Sequence, residues 1–177
     1  MSSVHKSPEL LEKEAVAELD KITKLQSVGS FKPKDRMSIP AQPIPEQDEV
    51  ERRRNMNEVA LGYTETQAKV EANRCLQCKN APCVEGCPVR IDIPGFIKAI
   101  TDGDYQKSID VIKLTSLLPA VCGRVCPQET QCQEPCTVGK ALKDTSKAVS
   151  IGRLERFVAD WEREKGKIEI PKVKPET

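Results

Sequence analysis

Cys75-Leu-Gln-Cys78-Lys-Asn-Ala-Pro-Cys83-Val-Glu-Gly-Cys87-Pro88 is answered further along by Cys122-Gly-Arg-Val-Cys126-Pro127-Gln-Glu-Thr-Gln-Cys132-Gln-Glu-Pro-Cys136, and these two runs hold all eight cysteines of the chain. The spacings are x2, x4 and x3 in the first run, then x3, x4 and x3 in the second. Thiols grouped this closely serve as metal ligands or as disulfide partners. The rest of the sequence reads as a frame for them.

The first run, with Pro88 directly behind its last cysteine, has the form of the ferredoxin pattern in which the fourth cysteine of a run serves the other of two clusters. We therefore read two iron-sulfur clusters. A cubane cluster offers an iron at each of four corners, and a short loop can reach only two or three of them. The fourth ligand comes from a distant segment, so each cluster cross-links the chain. If Cys75, Cys78 and Cys83 share one cluster, Cys87 turns toward a second, and the later run completes both.

Other readings stand beside this one. Structural zinc favours paired C-x2-C knuckles, whereas this chain has one C-x2-C and a lone His5 in its N-terminal tail. A disulfide framework would suit the even count, but Met1 to Lys6 lacks the apolar core of a secretory signal, and thiols in a reducing compartment stay reduced. A buried, inert thiol accounts for a spare cysteine only. By arithmetic alone, eight cysteines make two four-thiolate sites.

Composition narrows the function classes. The chain has 177 residues, 3% aromatics, and 28 basic against 27 acidic side chains. Its mean hydropathy is -0.49. So few aromatics imply a small ordinary core, which metal ligation would supplement because its free energy couples to folding. The even charge balance gives no field for nucleic acid or an anionic membrane, and neither partner is expected. No apolar run approaches the roughly 20 residues that span a bilayer, since Pro119 interrupts the longest, Ser116 to Val121. A cytoplasmic location is expected. The nine glycines are scattered, so neither a dinucleotide fingerprint nor a phosphate-binding loop is present. No catalytic proton-transfer constellation is visible, and no turnover is expected of this chain alone.

Helix signals surround the cysteines. Ser7 and Pro8 open an amphipathic helix with Leu11, Ala15, Leu19, Ile22 and Leu25 in register up to Gly29. Residues 30 to 47 carry four prolines and read as an extended connector. Asp48 to Ala60 reads as a short charged helix with Arg52, Arg53 and Arg54 on a solvated face, ended by Gly62. Thr64 and Gln67 make a capping box for a helix that delivers Cys75. Asp92 and Asp104 cap two further helices, one carrying Phe96, Ile97 and Ile100, the other Ile109 and Ile112. The last helix is expected from near Asp144 to about Lys165, with Ile151, Leu154, Val158 and Trp161 facing inward and Glu155 at the rim. The expected fold class is all-α. The expected organisation is a helical arm and connector over 1–47, a two-cluster domain over 48–165, and a truncated linker over 166–177; strand-like alternation is confined to Lys167 to Ile170.

Glu58-Val-Ala-Leu-Gly-Tyr-Thr-Glu-Thr-Gln, Glu71-Ala-Asn-Arg-Cys-Leu-Gln-Cys, Cys83-x3-Cys87-Pro88, Cys122-Gly-Arg-Val-Cys-Pro and Ile151-Gly-Arg-Leu-Glu-Arg-Phe together resemble the N-terminal iron-sulfur domain of the small subunit of NADPH-dependent glutamate synthase. The same domain begins dihydropyrimidine dehydrogenase and the larger subunit of the NADH-dependent reduced ferredoxin:NADP oxidoreductase. The resemblance covers about residues 37 to 177. It implies an alpha-helical ferredoxin-like bundle with two cluster-binding loop regions, and two 4Fe-4S clusters. It implies one cluster on Cys75, Cys78, Cys83 and Cys136, and the other on Cys87, Cys126, Cys132 and Glu155, a position where family members use Gln or Glu. Cys122 is then left without a cluster. The implied electron path runs from NADPH through FAD to the clusters and on to a partner large redox subunit. FAD and NADPH belong to a C-terminal domain of the same polypeptide, absent from this sequence, so a fragment of a longer protein is expected. A cluster-stabilised subunit-docking module is the competing expectation.

Overall fold

The computed structural model describes residues 6–165. Their helices are, in order, α1 (Pro8–Ser27), α2 (Pro33–Ser38), α3 (Glu65–Asn73), α4 (Pro82–Glu85), α5 (Ile93–Asp102), α6 (Tyr105–Lys113), α7 (Pro119–Val125), α8 (Thr137–Ala141) and α9 (Ile151–Glu164), with 3-10 turns at Glu51–Arg53, Gln128–Thr130 and Thr145–Lys147. Among the described residues the β pairing is limited to one isolated antiparallel bridge, Glu46 with Ala60, and the fold is all-α.

Side-chain caps set four helix starts. Ser7 Oγ accepts from the Leu10 N–H ahead of α1. Thr64 Oγ1 accepts from the Gln67 N–H at 3.1 Å while Gln67 Oε1 accepts from the Thr64 N–H, so both free donors at the start of α3 are satisfied. Asp92 and Asp104 accept from the N–H of Gly95 and of Lys107 and start α5 and α6.

The structure departs from the sequence reading in four places. The connector contains a helix, α2, because Pro33 presets its first turn and the Asp35 carboxylate accepts from the Lys32 N–H at 2.8 Å. Asp48 to Ala60 holds one 3-10 turn instead of a helix. Here the Asp48 carboxylate accepts from the N–H of Val50 and Glu51, and Asn55 bonds back to the Glu51 carbonyl, so local side chains take the bonds a helix would use. The last helix starts at Ile151, because Asp144 caps a separate 3-10 turn through the Ser146 N–H. Pro119, which broke the apolar run, is the first residue of α7. The alternation at Lys167 to Ile170 lies outside the described residues.

The core forms where α3, α5, α6 and α9 meet. Ile93, Phe96, Ile97 and Ile100 recur at helical spacing on α5 and are buried, as are Ile109 and Ile112 of α6 and Ile151, Leu154 and Val158 of α9. Each such side chain stabilises the fold by about 1.5–3 kcal/mol. The Ser108 hydroxyl donates to the Phe96 carbonyl and locks α6 to α5. Trp161 is half-buried and meets the Tyr105 ring edge-on. α1 packs on the other side of α3, where Ala15 and Ile22 meet Val70 and Ile39 in a second, smaller apolar cluster.

One ion pair joins these parts. Glu71 and Arg74 are 0% and 1% exposed and stand 2.5 Å apart. The Glu71 carboxylate also accepts from the N–H of Gln42 and of Ser150, each at 2.8 Å. Arg74 donates to the carbonyls of Ile39, Lys147 and Ala148. Removing the cation strands a buried carboxylate, which costs about 3–5 kcal/mol, whereas an exposed pair is worth under about 1 kcal/mol. Arg74→Met should therefore lower the unfolding free energy, extrapolated from urea melts of helical signal, by that larger amount, and Lys98→Met, which breaks the exposed Lys98–Asp102 pair, should barely move it.

Candidate iron-sulfur centres

Cys75, Cys78, Cys83 and Cys136 line one pocket, closed by Ile93 and Ile97 of α5 and by Val149 and Ile151. Cys75 leaves the end of α3, where its N–H donates to the Ala72 carbonyl. Gln77, held at φ +53, turns the chain so that Cys78 folds back. Cys83 lies in the single turn of α4, and Cys136 is the residue before α8. The Cys78 sulfur lies 3.4 Å from the Thr137 hydroxyl.

Cys87, Cys126, Cys132 and Glu155 form a second group. The Cys126 and Cys132 thiolates each feel the Glu155 carboxylate and Cys87. Glu155 is buried rather than at the rim, and its Oε1 has no hydrogen-bond partner among the described residues. Cys122, one helical turn before Cys126, lies beside it and faces the Ser116 hydroxyl. The eight cysteines are all free thiols.

Electrostatics at both groups call for a cation. Burial, then the neighbouring thiolates Cys136 and Cys78, push the Cys75 thiol up to about 11, and the Gln77 N–H works against that rise. Burial, then the neighbouring thiolates, push Cys83 to about 12; Cys132 is raised to about 12 by burial, then Cys87 and Glu155. Burial raises the Glu155 carboxyl to about 7. Burial and mutual repulsion therefore keep these thiols protonated on their own, and bound iron would supply the positive charge that favours their ionised, ligating forms. Soft thiolates are the donors of iron-sulfur clusters, and the orphaned Glu155 oxygen is an acceptor waiting for a partner. The donor set fits the cluster reading.

Among the described residues, no three His, Cys, Asp or Glu side chains close tightly enough on one point to hold a single metal ion. A mononuclear zinc site draws its thiolates to within about 2.3 Å of one centre. A cubane takes each thiolate at a separate corner, and its sulfurs stand farther apart.

Two glycines let the parts meet. A Cβ on Gly86 would come within 2.6 Å of the Gln131 carbonyl oxygen, so only glycine permits the first cysteine loop to lie against the second. A Cβ on Gly123 would come within 2.6 Å of the Arg156 backbone nitrogen, so only glycine lets α7 sit directly on α9 and bring Cys126 to Glu155. Arg124 bridges Glu58 and Asp160, and Arg156 donates to the Ala60 carbonyl, which fixes the loop over 58–62 onto the same helix pair. The sequence reading missed these glycines, although each adjoins a cysteine, and it missed Thr137. Because the obstacle is backbone, Gly123→Ala should displace α7 and lower the iron bound per chain, measured by iron and sulfide assay. Glu155→Ala should have the same effect while Cys122→Ser keeps wild-type iron; the reverse pattern would exchange the roles of Glu155 and Cys122.

Comparison with known proteins finds relatives over most of the described span. The chain is 40% identical over 109 residues to the glutamate synthase [NADPH] small chain of Escherichia coli K12, covering 62% of this chain and 22% of that protein. It is 40% identical over 111 residues to the NAD-dependent dihydropyrimidine dehydrogenase subunit PreT of the same strain, covering 63% and 26%. With the glutamate synthase [NADPH] small chain of Azospirillum brasilense it shares 33% identity over 115 residues, 64% of this chain and 23% of that one. The chain thus spans about a quarter or less of the length of these curated relatives. Residues 52–167 match the family described as dihydropyrimidine dehydrogenase domain II, 4Fe-4S cluster, and the chain belongs to that family of 4Fe-4S domains.

Proposed function

We propose that this chain is an electron-transfer module with two 4Fe-4S clusters, one held by Cys75, Cys78, Cys83 and Cys136, the other by Cys87, Cys126, Cys132 and Glu155. When bound, the clusters accept and donate single electrons. The chain's part is ligation, burial and orientation. The observation that carries the reading is the Glu155 carboxylate, buried with an unpartnered oxygen and facing the Cys126 and Cys132 thiolates. A harder oxygen ligand beside three thiolates would give the second cluster a potential distinct from that of the all-thiolate one.

The relatives' names give NADPH or NAD as the electron source, and the family resemblance adds a flavin and a large subunit. Electrons would come from NADPH through FAD in a domain outside this chain and pass to a large redox subunit like that of glutamate synthase. A cytoplasmic location belongs to this reading, because thiols persist in a reducing compartment. No helix among the described residues is long and apolar enough to cross a membrane.

A second reading, a cluster-stabilised docking module, is favoured by one observation. Leu114, Leu117, Leu118, Val121 and Val125 are 49% to 80% exposed on the segment leading into Cys122 and Cys126. Apolar side chains gathered in this way mark protein contacts.

Anaerobically loaded protein should carry about eight irons and eight sulfides per chain, with the broad visible absorption of such clusters. A content well under about four irons would refute the cluster reading. With a reduced flavoprotein partner the absorption should bleach rapidly; intact clusters that stay oxidised in the mixed complex would instead favour docking.

A further inference from the structure

Arg36 belongs to the connector, the segment with least apparent chemistry in the sequence, yet its side chain ends at the first cysteine group. One terminal guanidinium nitrogen, Nη1, donates to the carbonyls of Asn73 and Cys75, each at 3.0 Å. The guanidinium carbon stands 4.5 Å from the centroid of the Phe31 ring. It is therefore pinned from one side by an aromatic face and from the other by the end of α3. The bond to the Cys75 carbonyl brings its charge within the span of one residue of the Cys75 thiolate, and the two interact electrostatically. Burial lowers the Arg36 pKa while Cys75 opposes that shift; guanidinium remains charged at any physiological pH.

A bland role is available. The last carbonyls of a helix lack intrahelical partners, and a basic side chain near them satisfies the carbonyls and the helix dipole. That role accounts for the two hydrogen bonds and for a favourable interaction of the charge with the end of α3. It takes no account of the same charge acting on Cys75.

We infer that Arg36 is a positioning residue that sets the potential of the cluster on Cys75, Cys78, Cys83 and Cys136, its fixed positive charge favouring the reduced form. This inference rests on the cluster reading above. Reduction adds one electron, and hence one negative charge, to a site already ringed by thiolates. A cation fixed nearby in a low-dielectric setting stabilises the added charge more than it does the oxidised state. The Cys78 sulfur lies 3.4 Å from the Thr137 hydroxyl, and once that sulfur is a ligand thiolate the hydroxyl is the partner left to donate, which acts in the same sense. At the second group, the charges acting on Cys126 and Cys132 are the Glu155 carboxylate and other thiolates. Arg36 is thus an asymmetry between the sites supplied from outside both cysteine runs. Its placement depends on α2 and Phe31 being seated against α3, so the N-terminal segment contributes to redox poise as well as to packing.

The test is a dithionite titration of the anaerobically loaded 177-residue chain, followed by EPR and visible absorption, with the first cluster's signal identified as the one Cys78→Ser alters. Arg36→Gln keeps an amide donor for the carbonyls and removes the charge. It should lower the first cluster's midpoint so that the reduced-to-oxidised ratio at fixed potential falls about tenfold, ~59 mV for a one-electron couple, with the second cluster unmoved. Arg36→Lys should recover most of the shift. Phe31→Leu, which frees the guanidinium without deleting it, should give a smaller shift of the same sign, and it decides the matter if Arg36→Gln sheds iron. Loaded variants whose first-cluster midpoint equals wild type, or an Arg36→Lys midpoint displaced as far as that of Arg36→Gln, would overturn the inference alone. Absence of iron from the wild-type chain would overturn the cluster reading with it.

Discussion

A carboxylate and a guanidinium sealed from water, Glu71 and Arg74, hold the fold to a single arrangement. Burying two charges is expensive, and their attraction offsets the cost only when the remaining lone pairs and protons also find partners. Here they do, and the partners come from far apart: Ile39 and Gln42 before α3, Lys147, Ala148 and Ser150 before α9. A shift of any one of these segments would leave a buried lone pair or N–H of the pair without its partner. Such a pair adds little over an apolar replacement of the same shape, but it penalises every other way of assembling the pieces.

What it assembles is the pair of thiolate groups. Arg74 precedes Cys75 directly, and Ser150 is the residue before α9, which carries Glu155. The same contact therefore orients the element that presents the first group and the element that enters the second. The close approaches at Gly86 and Gly123 then bring the two cysteine runs and α7 onto that frame. With three aromatic residue types making up only 3% of the chain, the apolar core is built largely from isoleucine, and buried cysteines occupy part of its boundary.

Legibility in the sequence followed the range of the physical signal. Caps act within four residues, so the starts of α1, α3, α5 and α6 could be read directly, and the apolar faces of α5, α6 and α9 followed from helical spacing. The all-α class came with them. Where a cap residue served a turn instead of a helix, as Asp48 and Asp144 do, the local pattern was the same and the reading went wrong. Glu71 and Arg74 look like ordinary surface charges on a helix, since nothing in their spacing reveals partners some 30 to 80 positions away, such as Gln42 at 29 and Ser150 at 79. Glu155 became a candidate only through the family resemblance; position on the helix suggested the rim. Arg36 carried no signal, because its meaning lies in an end of α3 that the connector reaches only once folded.

The order of these constraints bears on why an electron carrier is built this way. Cysteine runs separated by α5 and α6 cannot gather four ligands until the chain between them has folded, and thiols as buried as Cys75 and Cys132 resist ionising until a cation arrives. Helix caps, an apolar core and a satisfied ion pair bring the two runs to one frame, and cluster ligation would add its own free energy to that folding. The same frame would serve the electron. On the two-cluster reading proposed above, groups fixed to one frame through α3 and α9 would keep the gap between clusters constant, and the rate of transfer would then depend on the difference in potential that the surrounding charges impose.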